Sequence, residues 1–395
     1  MSEWQNFKLR EVGTLQRGRS RHRPRYAFHL FNGPYPFIQT GEVREARKYV
    51  STFENTYSEA GLAQSKLWPK GTLCITIAAN IAELAILGFD ACFPDSVLGF
   101  IPDETRSDLD FVYYTLTHFQ KQLKHIGEGS VQDNINLGTF EDIEFPFPSL
   151  TEQKAIASVL SSLDDKIDLL HRQNKTLEAM AETLFRQWFI EEAKEDWEEC
   201  ELSEFGHIIC GKTPSKSNAN YFGNDVPFLK IPDMHGRVFI SKTTDNLSQL
   251  GALSQSKKMV PQNSICVSCI ATVGLVCITD CDLQTNQQIN SIVPNELKFL
   301  YYLYEVMLDM YDELHNLASG GTATLNLNTG DFSRIKIVKP DDVTLLQFNN
   351  AVIPLFTKIR FNGSQIQTLE QLRDMLLPKL MSGEVRVQYQ TEEVA

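Results

Sequence analysis

The chain has 395 residues, 42% of them hydrophobic, and a formal net charge of −13. That length supports two sizeable cores, and the acidic balance argues against a nonspecific nucleic-acid binder while leaving room for a local basic surface. No apolar run reaches membrane-spanning length and the opening MSEWQNFKLR is polar, so a soluble, cytoplasmic chain with no signal peptide and no membrane association is expected, its eight cysteines free thiols.

Trp4, Leu9 and Val12 lead into QRGRSRHRPR, where Arg17, Arg19, Arg21, Arg23 and Arg25 fall on alternate positions and Gly18 and Pro24 break regular structure. Five like charges repel unless something anionic sits among them. The segment therefore reads as an arm laid on a phosphate backbone, with a solvated charged loop as the alternative. Residues 36–102 mix short apolar runs with turns (PFIQTGEV, GTLCITIAA, AILGFDACF, SVLGFIP), the pattern of strands in a mixed α/β unit. FVYYTLTHFQKQLKHI, about 111–126, predicts an amphipathic helix. A Gly- and Asn-rich turn and a strand follow it.

From about Thr151 to Phe189 a long helix is expected, about 58 Å at 1.5 Å per residue. Ile156, Leu160, Leu163, Ile167, Leu170, Asn174, Leu177, Ala181, Leu184 and Trp188 step four, three, four, three, which is the seam of a coiled coil. In the second half PFLKIPDMHG, NSICVSCIA, GLVCITD and NSIVP occupy the strand positions, FLYYLYEVMLDMYDELH replaces the helix and SGGTATLNLNTGDFSRIKIVKP the exit. A second seam then reads Phe348, Val352, Leu355, Ile359, Asn362, Ile366, Leu369, Arg373, Leu376 and Leu380. Each seam holds one Asn, which costs stability and sets register. Pro354 inside the second pattern predicts a kink or the true start of that helix.

The two halves repeat. Lys166-Ile167 answers Lys358-Ile359 and Thr176-Leu177-Glu178 answers Thr368-Leu369-Glu370, both 192 residues apart (358 − 166, 368 − 176). Asn134, Asn136, Gly138, Phe140, Ile143 and Pro148 answer Asn326, Asn328, Gly330, Phe332, Ile335 and Pro340 at the same offset. Near the starts it drifts by one, Trp4, Leu9, Gly13 and Gly18 answering Trp197, Leu202, Gly206 and Gly211. The chain is two copies of one unit, a globular head of roughly 145 residues and then a long helix. The heads diverge while helices and junctions stay alike, so a common frame presents two different reading heads.

Three stretches imitate catalytic motifs. Gly206 to Thr213 fits G-x-x-x-x-G-K-[ST], but the preceding DWEECELSEF is charged and Pro214-Ser215-Lys216-Ser217-Asn218 follows, where a phosphate-binding loop needs a buried strand before it and a helix after it. A basic turn beside a partner is the better reading. Cys266 and Cys269, with Cys277 and Cys281, have zinc-like spacing, yet three of them lie in strand-like VSCIATVGLVC, and buried free thiols are expected. Asn32-Gly33-Pro34-Tyr35 has Gly where the catalytic loop of a DNA amino-methyltransferase would have Pro, no glycine-rich cofactor motif precedes it, and it reads as a turn. No metal site, cofactor or catalytic residue is expected in this chain.

The stretch TEQ-x-x-I-A-x-x-L-x-x-L-D-x-K-I from Thr151 to Ile167, the terminal LLPKLMSGEV from Leu376 to Val385, GKTPS at 211–215, and PDSVLGF at 94–100 against TNQQINS at 285–291 resemble the specificity subunit of type I restriction–modification enzymes, over the whole chain. Pro354 and Pro378, and Leu345 where the first copy has Gln153, depart from equal helices. The resemblance implies an α/β (α+β) fold with an internal two-fold pseudo-repeat. Target recognition domains at 1–150 and 193–342 would be joined by two long antiparallel coiled-coil helices, at 151–192 and 343–395. It also implies a non-catalytic subunit whose heads each read half of a bipartite double-stranded DNA target. The helices would set the spacing and dock two methyltransferase subunits, and restriction subunits would complete the complex.

Phosphates position such a protein and base edges specify. In the first head Arg17, Arg19, Arg21, Arg23 and Arg25 are expected on the backbone, with Gln39, Thr40, Asn80 and Ser96 as edge readers. In the second, Lys212, Lys216 and Lys230 are expected on the backbone, with Gln287, Gln288 and Thr322 at the edges. Two other classes stay open: an adaptor whose heads bind protein, which a salt-dependent DNA shift assay would separate, and a nucleotide hydrolase using 206–213, which nucleotide binding would reveal.

Overall fold

The computed structural model describes residues 4–78, 80–128, 137–319 and 325–387. They form two compact units, residues 1–169 with 366–395, and residues 170–365. No described helix is long and apolar enough to cross a membrane.

In the first unit the strand runs LCIT and LAIL, Leu73–Thr76 and Leu84–Leu87, are buried throughout. Side chains alternate across a strand, so such a run needs cover on both faces. Leu73, Ile75, Leu84 and Ile86 pack with Phe111, Val112, Tyr114 and Leu116 of the helix Leu109–Glu128. Cys74, Ala85 and Leu87 face the other way, onto Ile38, Val43, Trp68 and Phe93. The two strands sit inside a mixed five-stranded sheet in the order Gly13–Arg17, Val97–Pro102, Leu73–Thr76, Leu84–Leu87, Tyr49–Val50. Beside it lies a four-stranded sheet, Asn55–Tyr57, Phe31–Phe37, Ala91–Cys92, Leu67–Trp68. Gln5–Lys8 pairs antiparallel with Glu144–Phe147 and closes the head onto its helix.

The second unit repeats this order strand for strand among the described residues. Its five-stranded sheet runs Gly206–Cys210, Ile289–Pro294, Ile265–Ile270, Thr272–Thr279, Phe239–Ile240. Its four-stranded sheet runs Asn246–Leu247, Phe222–Leu229, Leu283–Thr285, Met259–Val260, and Glu198–Glu201 pairs with Lys336–Lys339. Ile265, Val267 and Cys269 face one core, with Leu300, Leu303 and Phe348, while Cys266 faces another, with Leu229, Ile240 and Leu283.

The central helix spans Leu150–Arg186, with Ser149 at its start, and a π turn at Gln187–Glu191 ends it. The C-terminal helix spans Asp342–Met381. In the first unit Asp164 meets Arg373 at 2.9 Å and Glu152 meets Arg386 at 3.4 Å, which sets the two helices antiparallel there. In the second unit Asn174 meets Asn362 and Lys194 meets Asp341, again antiparallel. Leu160, Ile167, Leu170, Ile359, Asn362 and Ile366 are buried, and Leu163, Asn174, Leu177, Leu355, Leu369 and Leu376 are half-buried.

Three local expectations are corrected. The C-terminal helix does not begin at Pro354: Asp341 accepts from the Thr344 backbone N–H at 2.9 Å and starts it, and Pro354 is exposed along its length. The aromatic-rich segment after residue 299 is two helices, Leu300–Asp309 and Tyr311–Ala318, because Met310 leaves helical geometry at ψ 14°. Asn32 to Tyr35 is not a turn ahead of a strand but part of the strand Phe31–Phe37. Asn32 at φ 63° lets the register against Asn55–Tyr57 slip between Phe31 and Tyr35.

Candidate nucleic-acid interface

Each head holds its basic loop on a glycine. In the first, the Gly18 N–H donates to Val97 O (2.8 Å) and the Arg19 N–H to Phe93 O (3.0 Å). In the second, the Gly211 N–H donates to Ile289 O (3.0 Å) and the Lys212 N–H to Thr285 O (2.9 Å). A Cβ at Gly18 would stand 2.3 Å from Pro94 O, and one at Gly211 would stand 2.0 Å from Asn286 O, so no side chain fits at either place. The frame thus puts Arg19 and Lys212 at equivalent positions, both exposed. It also explains the false phosphate-binding motif: Gly206–Cys210 is a strand paired with Ile289–Pro294, and Gly211 serves close backbone approach.

The five arginines of the first loop divide. Arg25 Nη2 donates to Asp95 Oδ1 and Oδ2 at 2.8 and 3.1 Å, Arg17 Nε donates to the Asp95 carbonyl, and Arg23 Nη1 donates to the carbonyls of Ser20 and His22, both at 2.9 Å. Arg17 and Arg25 fold the loop onto the turn containing Ser96, and Arg23 ties the loop to itself. Arg19 and Arg21 carry no side-chain partner among the described residues and are exposed. Lys66 lies near Arg19: it donates to Gln16 Oε1 at 2.7 Å and sits 3.6 Å over the Trp68 ring. Burial, then the charge of Arg19, hold Lys66 below the usual ammonium range.

Gln39 is the N-cap of the short helix Thr40–Glu45, and both Gln39 and Thr40 are half-buried. Tyr26 Oη donates to Gln39 Oε1 at 3.5 Å, which joins Gln39 to the arginine loop. Asn80 stands apart, accepting from Arg44 Nη1 at 3.4 Å, although the Ser96 carbonyl accepts from the nearby Ile77 N–H at 2.9 Å.

In the second head Thr213 Oγ1 donates to Gln287 Oε1 at 2.7 Å and Gln288 Oε1 accepts from Asn286 Nδ2 at 2.9 Å, so Lys212, Gln287 and Gln288 share one edge. Lys216 is exposed without a partner among the described residues. Lys230 caps the helix Ile231–Met234 where the first head has Gln39, but its ammonium is paired with Asp245. Thr322 lies outside the described residues.

The four cysteines with zinc-like spacing do not all converge on one core. Cys266 and Cys269 are an odd number of residues apart on one strand and face different cores. Cys266 and Cys277 are cross-strand neighbours, both fully buried, and all eight cysteines are free thiols. Burial pushes the Cys269 thiol up to about 12, so it rests protonated in its core. No group of His, Cys, Asp and Glu that could hold a metal occurs among the described residues.

Two residues of the first interface escaped the sequence reading. Tyr26 and Phe28 follow the arginines directly and are 74% and 85% exposed. Aromatic residues interleaved with a basic run are the signal that could have found them.

The profile described as "Type I restriction modification DNA specificity domain" matches residues 1–179 and 194–344. The type I restriction enzyme HindI specificity subunit of Haemophilus influenzae is 32% identical over 467 aligned positions, covering 98% of this chain and all of the relative. The type I restriction enzyme MjaIX specificity subunit of Methanocaldococcus jannaschii is 28% identical, covering 98% of this chain and 94% of the relative. Among solved structures, a type I restriction–modification S subunit from M. genitalium shares the fold at a TM-score of 0.61 and 15% identity, covering 99% of this chain and 97% of that one.

Proposed function

Because the chain belongs to the type I restriction–modification DNA specificity family, we propose that it is the DNA-reading subunit of such a complex, each head taking one half of a bipartite double-stranded target. One observation carries the reading furthest. The same glycine-held frame stands in both heads and presents Arg19 in one and Lys212 in the other. Around that shared cation the edges differ, with Gln39 and Ser96 in the first head and Gln287 and Gln288 in the second. A common phosphate anchor with divergent edge readers suits two different half-sites on one backbone.

In this reading residues 1–150 and 193–342 are the recognition domains and the two long helices hold their separation. The helices also dock two methyltransferase subunits, and restriction subunits complete the assembly in the cytoplasm. Chemistry lies in the partners: the chain alone turns over neither a methyl donor nor ATP.

Replacing residues 1–150 with the matching domain of another family member tests this. Methylation mapping of the reconstituted complex should show one half-site changed and the other retained. A change in both would overturn independent heads, and methyl transfer by the purified chain alone would overturn the non-catalytic role.

A further inference from the structure

Tyr26 and Phe28 are the most exposed large apolar side chains among the described residues. Tyr26 is held by a neighbouring ring, and Phe28 by the backbone turn that carries it. The Tyr26 ring lies parallel to Phe31 (centroids 6.3 Å apart, 15° between planes), Phe31 packs edge-on to Tyr57 at 5.1 Å, and Tyr57 stacks on Phe37 at 4.1 Å. Tyr26 thus continues to the surface a run of aromatic rings, the half-buried Phe31 and the buried Tyr57 and Phe37, and its hydroxyl is tied to Gln39. Phe28 opens the 3-10 turn Phe28–Leu30, whose Leu30 is buried and whose His29 carbonyl accepts from Ser58 Oγ at 2.7 Å.

The surroundings say what covers these rings. Arg19 and Arg21 are exposed without partners among the described residues, and Lys66 is near Arg19. The nearby Asp95 carboxylate is already occupied by Arg25. Exposed cations and exposed aromatics carried by one loop match a polyanion that also offers flat apolar faces, which is the chemistry of stacked bases.

The second head supplies an internal comparison. Its 3-10 turn Ala219–Tyr221 also leads into the paired strand Phe222–Leu229, so Ala219 stands where Phe28 does, and Ser217 where Tyr26 does. The frame repeats, and the aromatic pair is confined to the first head.

Resting on the DNA-reading role proposed above, we infer that Tyr26 and Phe28 form a base-stacking wedge that enters a base step of the half-site read by the first head, with no counterpart at the other half-site. The wedge makes the first half-site sensitive to how easily its base step unstacks, so specificity arises there without a hydrogen bond to an edge.

The test uses the full chain assembled with its methyltransferase subunits, on a target mapped by methylation. 2-Aminopurine is placed in turn at each position of both half-sites except the methylated bases. Fluorescence should rise at one step of the first half-site and nowhere in the second. Phe28→Ala and the Tyr26→Ala/Phe28→Ala double variant should abolish the rise and weaken binding about 10-fold, with an unchanged salt slope. Both side chains are exposed, so thermal melting of the variants should match the parent; a probe at the methylated base, flipped by the methyltransferase, should still report assembly. An unchanged signal and affinity in the double variant overturns the wedge. Loss of a methyltransferase subunit with DNA affinity intact overturns it in favour of a protein contact. Absence of sequence-dependent binding by the parent complex would instead overturn the DNA-reading role itself, and the wedge with it.

Discussion

Asn362 Nδ2 donates to Asn174 Oδ1 at 2.8 Å, and Asn362 is fully buried with its own Oδ1 unpartnered. The two seam asparagines therefore meet in one layer of the second unit. A buried amide with half its capacity unmet costs stability and penalises any slipped pairing that would leave both amides alone.

Replacing both, Asn174→Leu with Asn362→Leu, should raise stability by about 1–2 kcal/mol while loosening register. Asn362→Leu alone strands Asn174 and should lower it. Thermal melts of the three variants, with sedimentation to detect alternative assemblies, check this. Equal melting for single and double variants would remove the pairing argument.

The arginine loop should divide in solution as it does in the structure. Arg19→Ala and Arg21→Ala should each reduce the slope of log affinity against log salt by about 1 and weaken all sequences alike. Arg25→Ala frees Asp95 and loosens the loop, so its loss should fall on specificity more than on slope. Titrations at several salt concentrations measure both quantities. A full unit of slope lost in Arg25→Ala would contradict the assignment.

Lys48 ties the first head to the central helix. Its ammonium, only 5% exposed, donates to Asp110 Oδ1 and Ser161 Oγ, each at 2.9 Å. Lys48→Met leaves the partly exposed Asp110 without its partner and should destabilise the first unit by about 1–2 kcal/mol. Denaturant unfolding monitored by probes in each unit should show the loss in the first only.

Glu305 is buried in the second unit. Burial, then the charges of Glu182, Glu178 and Asp309, raise its carboxyl from 4.5 to about 8. A folded-state value above the unfolded one means the folded protein binds the extra proton, so stability is full below about pH 4.5 and declines as pH rises through 8. Glu305→Gln should flatten that decline and be more stable than the parent at pH 9, by the order of 3 kcal/mol. Melting temperature against pH for both proteins is the measurement; parallel curves would show that Glu305 ionises freely.

If the helices set the gap between half-sites, lengthening must respect their pairing. Asn174 faces Asn362, so four residues inserted in the central helix need four more at the matching level of the C-terminal helix. The matched insertion adds about 6 Å and rotates the helix beyond it by about 40°. The preferred gap should grow by about one or two base pairs with both half-sites unchanged. Methylation mapping on targets with randomised gaps decides; a folded variant keeping the parental gap would show that DNA bending, at about 1–6 kcal/mol, absorbs the separation.

The helices, the seam asparagines and the two-copy organisation were legible in the sequence because each is local or periodic. A four-three step reports one helix face whatever surrounds it, and a repeat needs no structure to be seen. Partnership is another matter. Pro354 reads as a kink or a start because a proline breaks a helix by itself; the start is ruled out, since the helix runs from Asp342 past the exposed Pro354. Cys266 and Cys269 have the spacing of ligands but read as buried free thiols, and strand geometry sends them to different cores. Five alternating arginines look equal in a string, but Asp95, 70 residues after Arg25, takes two of them and leaves Arg19 and Arg21 without a side-chain partner among the described residues. Tyr26 and Phe28 count as core by composition, and only the folded chain leaves them in water. The sequence determined the long periodic segments, because a helix face depends on near neighbours, whereas residues 32–35 became strand through their pairing with Asn55–Tyr57. The tertiary structure decided which charges and rings remain available, because burial and ion pairing depend on residues far away in the chain.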